Sequence, residues 1–149
     1  MALHPGFPVS PHANKTDVIA RIVLEHYPTT QAIYLFGTYG TADEWPDSDV
    51  DIAILLPPEQ ARRWPQLMLT PCHYALADAL GKPVDLLNAR EVSTVFQKEI
   101  IKSGRMLYCV DDDAVAEFEM LTLSYYQKLN EERKAILDAF QETGRAYAV

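Results

Sequence analysis

The stretch from Phe36 to Leu56 constrains this chain more than any other. An apolar run, A-I-Y-L-F, ends in Gly37-Thr38, ten residues intervene, and Asp49-Val50-Asp51 opens a second apolar run. Successive side chains of a strand point to opposite faces, so Asp49 and Asp51 face the same way. Val50, Ile52, Ile54 and Leu56 make the other face wholly apolar, and the acidic face turns to Ala53 and Leu55 further along. A strand buried on both sides with two carboxylates at its start must compensate them. Unpaired buried charge is costly, and like charges at that distance raise each other's pKa.

A divalent cation answers both demands. Oxygen-only ligands favour Mg²⁺ over zinc, and Mg²⁺ takes its remaining ligands from water and substrate phosphates. Gly37 lets the backbone come close to a ligand, and Thr38 offers a hydroxyl. A helix starting nearby would aim its N–H groups at bound phosphate. A nucleoside triphosphate suits such a loop. Asp43, Glu44 and Asp47, in the gap, read as solvated loop carboxylates, and Gly40-Thr41-Ala42 as a brief helical turn.

The rest of the chain supplies alternating helices and strands. Residues 1–13 carry three prolines and only short apolar fragments, which predicts an irregular tail, with His4 and His12 solvated; residues 14–149 read as one domain. Asn14 or Thr16 can cap a helix with Val18, Ile19, Ile22, Val23 and His26 at helical spacing, and Ala32–Phe36 is a short buried strand. Pro57-Pro58 ends the strand after Asp51, and Glu59–Leu69 has mixed helical character. Thr70-Pro71 caps a helix that Gly81 stops, with Cys72, Ala75, Leu76 and Ala79 inward and His73 exposed. Pro83–Leu87 is a third strand, on which Asp85 shares a face with Leu87. Ser93 caps a helix with Val95, Phe96, Ile100 and Ile101 inward, closed by Gly104, and Met106–Val110 is a fourth strand.

Asp111-Asp112-Asp113 then meets the dipole of a long final helix and needs no metal. Phe118, Leu121, Tyr125, Leu129, Ile136 and Phe140 lie along one side of that helix. It either packs across the sheet or reaches past its own core to be covered by a partner. Arg90, Lys98, Lys102 and Arg105 either steady a triphosphate or form a solvated positive face.

A formal net charge of -8 argues against free nucleic acid as a partner and against templated polymerisation. No apolar run approaches the ~20 residues of a membrane span. Cys72 and Cys109 have no metal or disulfide spacing and read as reduced core residues. The N-terminus lacks the pattern of a signal peptide, so the expectation is a cytoplasmic protein.

Gly-Thr, ten residues and Asp-x-Asp, with Asp85 in K-P-V-D-L-L-N, resemble the signature of the polymerase β-type nucleotidyltransferase superfamily. That family usually has Ser where this chain has Thr38. The resemblance implies an α/β (α+β) fold, a mixed sheet flanked by helices with a long C-terminal helix. It also makes Asp49, Asp51 and Asp85 the catalytic ligands of two Mg²⁺ ions, and Gly37 and Thr38 the holders of the terminal phosphates of ATP.

From Lys15 to Phe140, through I-Y-L-F-G-T-Y-G, S-D-V-D-I-A-I-L, V-D-L-L and the closing S-Y-Y-Q-K-L-N-E-E-R-K-A-I-L-D, the chain is similar to the minimal nucleotidyltransferase antitoxins that pair with HEPN-domain toxins. That implies transfer of AMP from ATP to a tyrosine of a HEPN ribonuclease toxin. Two alternatives stand beside it: an antitoxin that masks its toxin by binding alone, and a transferase that adenylates a small molecule such as an aminoglycoside.

Overall fold

The computed structural model describes residues 11–37, 44–45 and 48–143. In chain order the elements are α1 (Pro11–His26), β1 (Ala32–Phe36), β2 (Val50–Leu55), α2 (Pro58–Arg63), α3 (Pro71–Leu80), β3 (Val84–Asn88), α4 (Thr94–Ser103), β4 (Arg105–Cys109) and α5 (Asp112–Thr143). The strands form one mixed sheet in the order β3-β2-β1-β4. β1 runs antiparallel to β2 and β4, and β2 runs parallel to β3.

Each face of the sheet is sealed by helices because the strands are apolar on both sides. On one face Ile33, Leu35, Val50, Ile52, Ile54, Val84 and Leu86 pack with Ile19, Ile22 and Val23 of α1 and with Cys72 and Leu76 of α3. On the other, Ala32, Tyr34, Phe36, Ala53 and Leu55 meet Ile100 of α4 and Val115 and Phe118 of α5. This is the expected mixed sheet between helices, with the long C-terminal helix in place. Among the described residues no helix is long and apolar enough to cross a membrane.

Several local expectations change. α1 begins at Pro11, inside the stretch 1–13 expected to be irregular, so Asn14 and Thr16 lie within the helix and neither caps it. Proline is suited to a helix start, where its missing N–H has no partner to lose. Thr70 caps α3 by accepting from the His73 N–H, and Gly81 ends it in the left-handed conformation, as expected. Ala79, however, is exposed. Ser93 caps α4, but Gly104 closes it in extended backbone. Val95 and Phe96 of α4 are 53% and 41% exposed, so helical spacing alone did not identify its buried side. Cys109 is exposed rather than in the core, because β4 is an edge strand, while Cys72 is buried.

His73 also departs from expectation: it is buried. Its Nδ1 accepts the Leu69 N–H at 3.0 Å, and its Nε2 lies 2.8 Å from the Val84 carbonyl. Since a carbonyl only accepts, Nε2 is the donor of this bond and Nδ1 the acceptor of the other. Leu69 has a positive φ of 62°, a conformation unfavourable for a leucine, and the imidazole holds its amide there. The same ring closes one outward carbonyl of β3.

α5 divides in two. Val115, Phe118 and Thr122 are buried in its first half, whereas every side chain from Gln127 to Asp138 is exposed. Of the two readings of this helix, the one in which it outruns its own core holds.

Candidate active site

Asp51 stands second in β2, and two cross-strand pairings fix its neighbours. Phe36 lies opposite it on β1 and Asp85 opposite it on β3. Parallel strands in register place equivalent side chains side by side at about 4.8 Å, so the two carboxylates meet on one face. That face is the one carrying Ala53, Leu55 and helices α4 and α5. Asp49 is exposed and lies just before β2, two residues from Asp51.

The electrostatics follow from this crowding. The Asp51 carboxyl is pushed up to about 6, first by burial, then by the charge and hydrogen bond of Asp85, and least by the charge of Asp49. Acid groups brought this close without a counter-charge are what a hard cation stabilises. Among the described residues no three of His, Cys, Asp and Glu close into a preformed metal cage. The oxygen-only donors fit Mg²⁺ with its remaining positions taken by water or phosphate.

Gly37 ends β1 with φ of 76°, and a Cβ built on it would overlap Oδ2 of Asp51. The glycine therefore serves two needs at once, a left-handed turn and space for the carboxylate. Thr38, Gly40, Thr41, Ala42, Asp43 and Asp47 lie outside the described residues.

The four candidate phosphate contacts separate widely. Arg90 donates from Nε to the Leu56 carbonyl and from a terminal nitrogen to Gln31 Oε1 at 2.7 Å, and it lies over the Phe118 ring. It is thus bound past the C-terminal end of β2, away from Asp49 and Asp51 at the start, and it lines a cavity of about 150 Å³ with Gln97, Phe118, Leu121, Thr122 and Tyr125. Lys98 sits over the Tyr126 ring. Arg105 pairs with Leu35, on the face opposite Asp51, and Lys102 is an exposed residue of the last turn of α4.

A further cation is close to Asp85 in the chain. Lys82 stands three residues before Asp85 and pairs with Glu44, which is largely shielded rather than solvated. Its position just before V-D-L-L was the available signal.

Residues 19–113, which take in Gly37 and all three aspartates, match the family described as polymerase beta, nucleotidyltransferase. The chain belongs to this family. It is 34% identical over 122 residues to the protein adenylyltransferase MntA of Shewanella oneidensis, covering 80% of this chain and 83% of that one. Among solved structures, a toxin–antitoxin with AMP-PNP aligns with a TM-score of 0.65 at 32% identity, covering 85% of this chain and 98% of the matched one. A tri-AMPylated Shewanella oneidensis HEPN toxin in complex with MNT antitoxin aligns at 0.64 and 30%, covering 87% and 98%. The nucleotidyltransferase family resemblance in the sequence is thereby established.

Proposed function

We propose that this nucleotidyltransferase is an antitoxin that moves AMP from ATP to a tyrosine of a HEPN ribonuclease toxin. The observation that carries the chemistry is Asp51 beside Asp85 in register, with its carboxyl raised by burial and then by that neighbour. The relatives named above support the acceptor, since one is a protein adenylyltransferase and another is complexed with a tri-AMPylated HEPN toxin.

In this reading Asp49, Asp51 and Asp85 would hold Mg²⁺, which would supply charge neutralisation along the triphosphate and at the attacking oxygen. Gly37 and Thr38 steady the terminal phosphates so that the α-phosphorus is presented in line. Asp85 accepts the tyrosine proton on a carboxylate oxygen. The tyrosine O–P bond forms, the bond between the α- and β-phosphates breaks, and pyrophosphate leaves with its electron pair.

The test is incubation with a cognate HEPN ribonuclease toxin, ATP and Mg²⁺, followed by intact mass. One or more AMP units on the toxin, lost with chelator, is the expected result. An unmodified toxin that is nonetheless silenced by the complex overturns the proposal in favour of masking.

A further inference from the structure

We propose that Lys82 and Glu44 form a latch that fixes the turn before Asp49 to the start of β3, and so sets the spacing of the three carboxylates. The inference rests on the reading of those carboxylates as cation and nucleotide ligands. Lys82 Nζ lies 2.5 Å from Glu44 Oε2 and donates to the Trp45 carbonyl at 3.4 Å. The two charged side chains keep only 18% and 23% of their surface in contact with water, so solvent screens the pair less than an open surface pair.

Both flanks of Asp49 are tied to the same short segment. On the N-terminal side, the Trp45 N–H donates to Ser48 Oγ at 2.8 Å and the Ser48 N–H returns to the Trp45 carbonyl at 3.0 Å, a closed turn that Lys82 grips. On the C-terminal side, the Val50 N–H donates to the Pro83 carbonyl at 2.9 Å. Lys82 and Pro83 are adjacent, and the proline ring fixes its own φ, so the two grips sit on one stiff dipeptide. Asp85 follows two residues after Pro83, second in β3. Asp49, Asp51 and Asp85 repel one another, and that repulsion tends to open this end of the sheet. The latch opposes it from outside the cluster. Lys82 and Glu44 are accordingly positioning residues, acting through the backbone on either side of Asp49.

The test uses the full chain and four variants: Lys82→Met, Glu44→Gln, Lys82→Arg, and the charge-exchanged pair Lys82→Glu with Glu44→Lys. Amide exchange at Ser48 and Val50 reads the latch directly, and calorimetric titration with MgATP reads its consequence. Each of the first two variants should speed exchange at these amides by about tenfold and weaken MgATP by a similar factor. Lys82→Arg and the charge-exchanged pair should recover most of both.

Unchanged exchange in Lys82→Met overturns the latch. So does tighter MgATP binding in Glu44→Gln beside weaker binding in Lys82→Met, which makes Lys82 a direct phosphate contact that Glu44 merely competes for. Should a single variant unfold, the charge-exchanged pair decides, since it keeps both charges and both side-chain stems; failure to recover protection there overturns the proposal. If the wild type binds no MgATP, the functional reading fails, while amide exchange still judges the latch by itself.

Discussion

The two ends of β2 are built on opposite principles. At the C-terminal end every polar group named here has a partner. The Arg90 guanidinium closes the Leu56 carbonyl and Gln31, Asn88 Nδ2 donates to the carbonyls of Ala61 and Trp64, and Gln97 donates to that of Ala89. Among the described residues no buried side-chain polar atom lacks a hydrogen bond. At the N-terminal end Asp51 is pressed against Asp85, with Asp49 close by and a glycine leaving room for the carboxylate. One end therefore secures the fold. The other holds a repulsion among carboxylates that protonation or a bound cation would relieve, and groups perturbed in this way cluster at functional sites rather than in structural polar clusters.

The sharpest way to break this contrast is to neutralise the repelling end. Asp51→Asn and Asp85→Asn keep side-chain shape and remove a charge, so both should fold. AMP transfer to the toxin should fall by at least about 10²- to 10³-fold, the scale of losing a group that stabilises transition-state charge. Single-turnover transfer read by intact mass measures this, and a variant retaining near wild-type transfer would remove that aspartate from the site. Full protection of cells by a variant that transfers nothing would instead assign neutralisation to masking.

Next in size is Gly37→Ala. Its methyl needs the space of Asp51 Oδ2 and strains a backbone at φ of 76°. Displacing a catalytic group by about 1 Å can cost on the order of 10²-fold, so transfer should drop by about that factor, with folding weakened by roughly 1–2 kcal/mol. Parallel kinetics and denaturant titration separate the two effects. Equal activity in both proteins would mean that the carboxylate is free to move elsewhere.

At the closed end the pattern should reverse. Arg90→Met leaves the Leu56 carbonyl without its donor, and stability should fall by about 1–3 kcal/mol. Transfer at saturating ATP should stay near wild type, because Arg90 lies past the far end of the strand that begins at Asp51. Loss of activity in the folded variant would return Arg90 to the phosphate site.

Which parts were legible in the sequence follows from the range of each interaction. β1 has the expected bounds, Ala32–Phe36, and the Thr70, Pro71 and Gly81 signals mark α3, because strand burial and capping are encoded within a few residues. Asp85 was recognisable through the family pattern, yet its adjacency to Asp51 depended on a parallel register that local sequence does not specify. His73 looked like an exposed helical residue because the Val84 carbonyl reaches its ring only when β3 lies beside α3, and the Leu69 amide reaches it only through a left-handed backbone that leucine does not signal. Glu44 looked solvated for the same reason, its partner Lys82 being 38 residues away. Val95 and Phe96 satisfied helical periodicity, but periodicity cannot say how wide a strip the sheet covers.

The smallest expected effect sharpens the contrast through pH. Asp51 titrates near 6 in the fold, against about 3.9 for an ordinary aspartate. Between those values the folded protein keeps a proton that the unfolded chain has released, so stability falls as pH rises from about 4 to 6 and stays lowered above it. Because the group is partly exposed, solvent screening reduces the deficit to about 1 kcal/mol. Asp51→Asn removes it, so in chelator the variant should melt about 2–4 °C above wild type at pH 8 and level with it at pH 4. Mg²⁺ should stabilise the wild type at pH 8 more than the variant, since the cation compensates the charge that the variant lacks. Matching shifts with and without Mg²⁺ would show that the carboxylates repel without holding the ion.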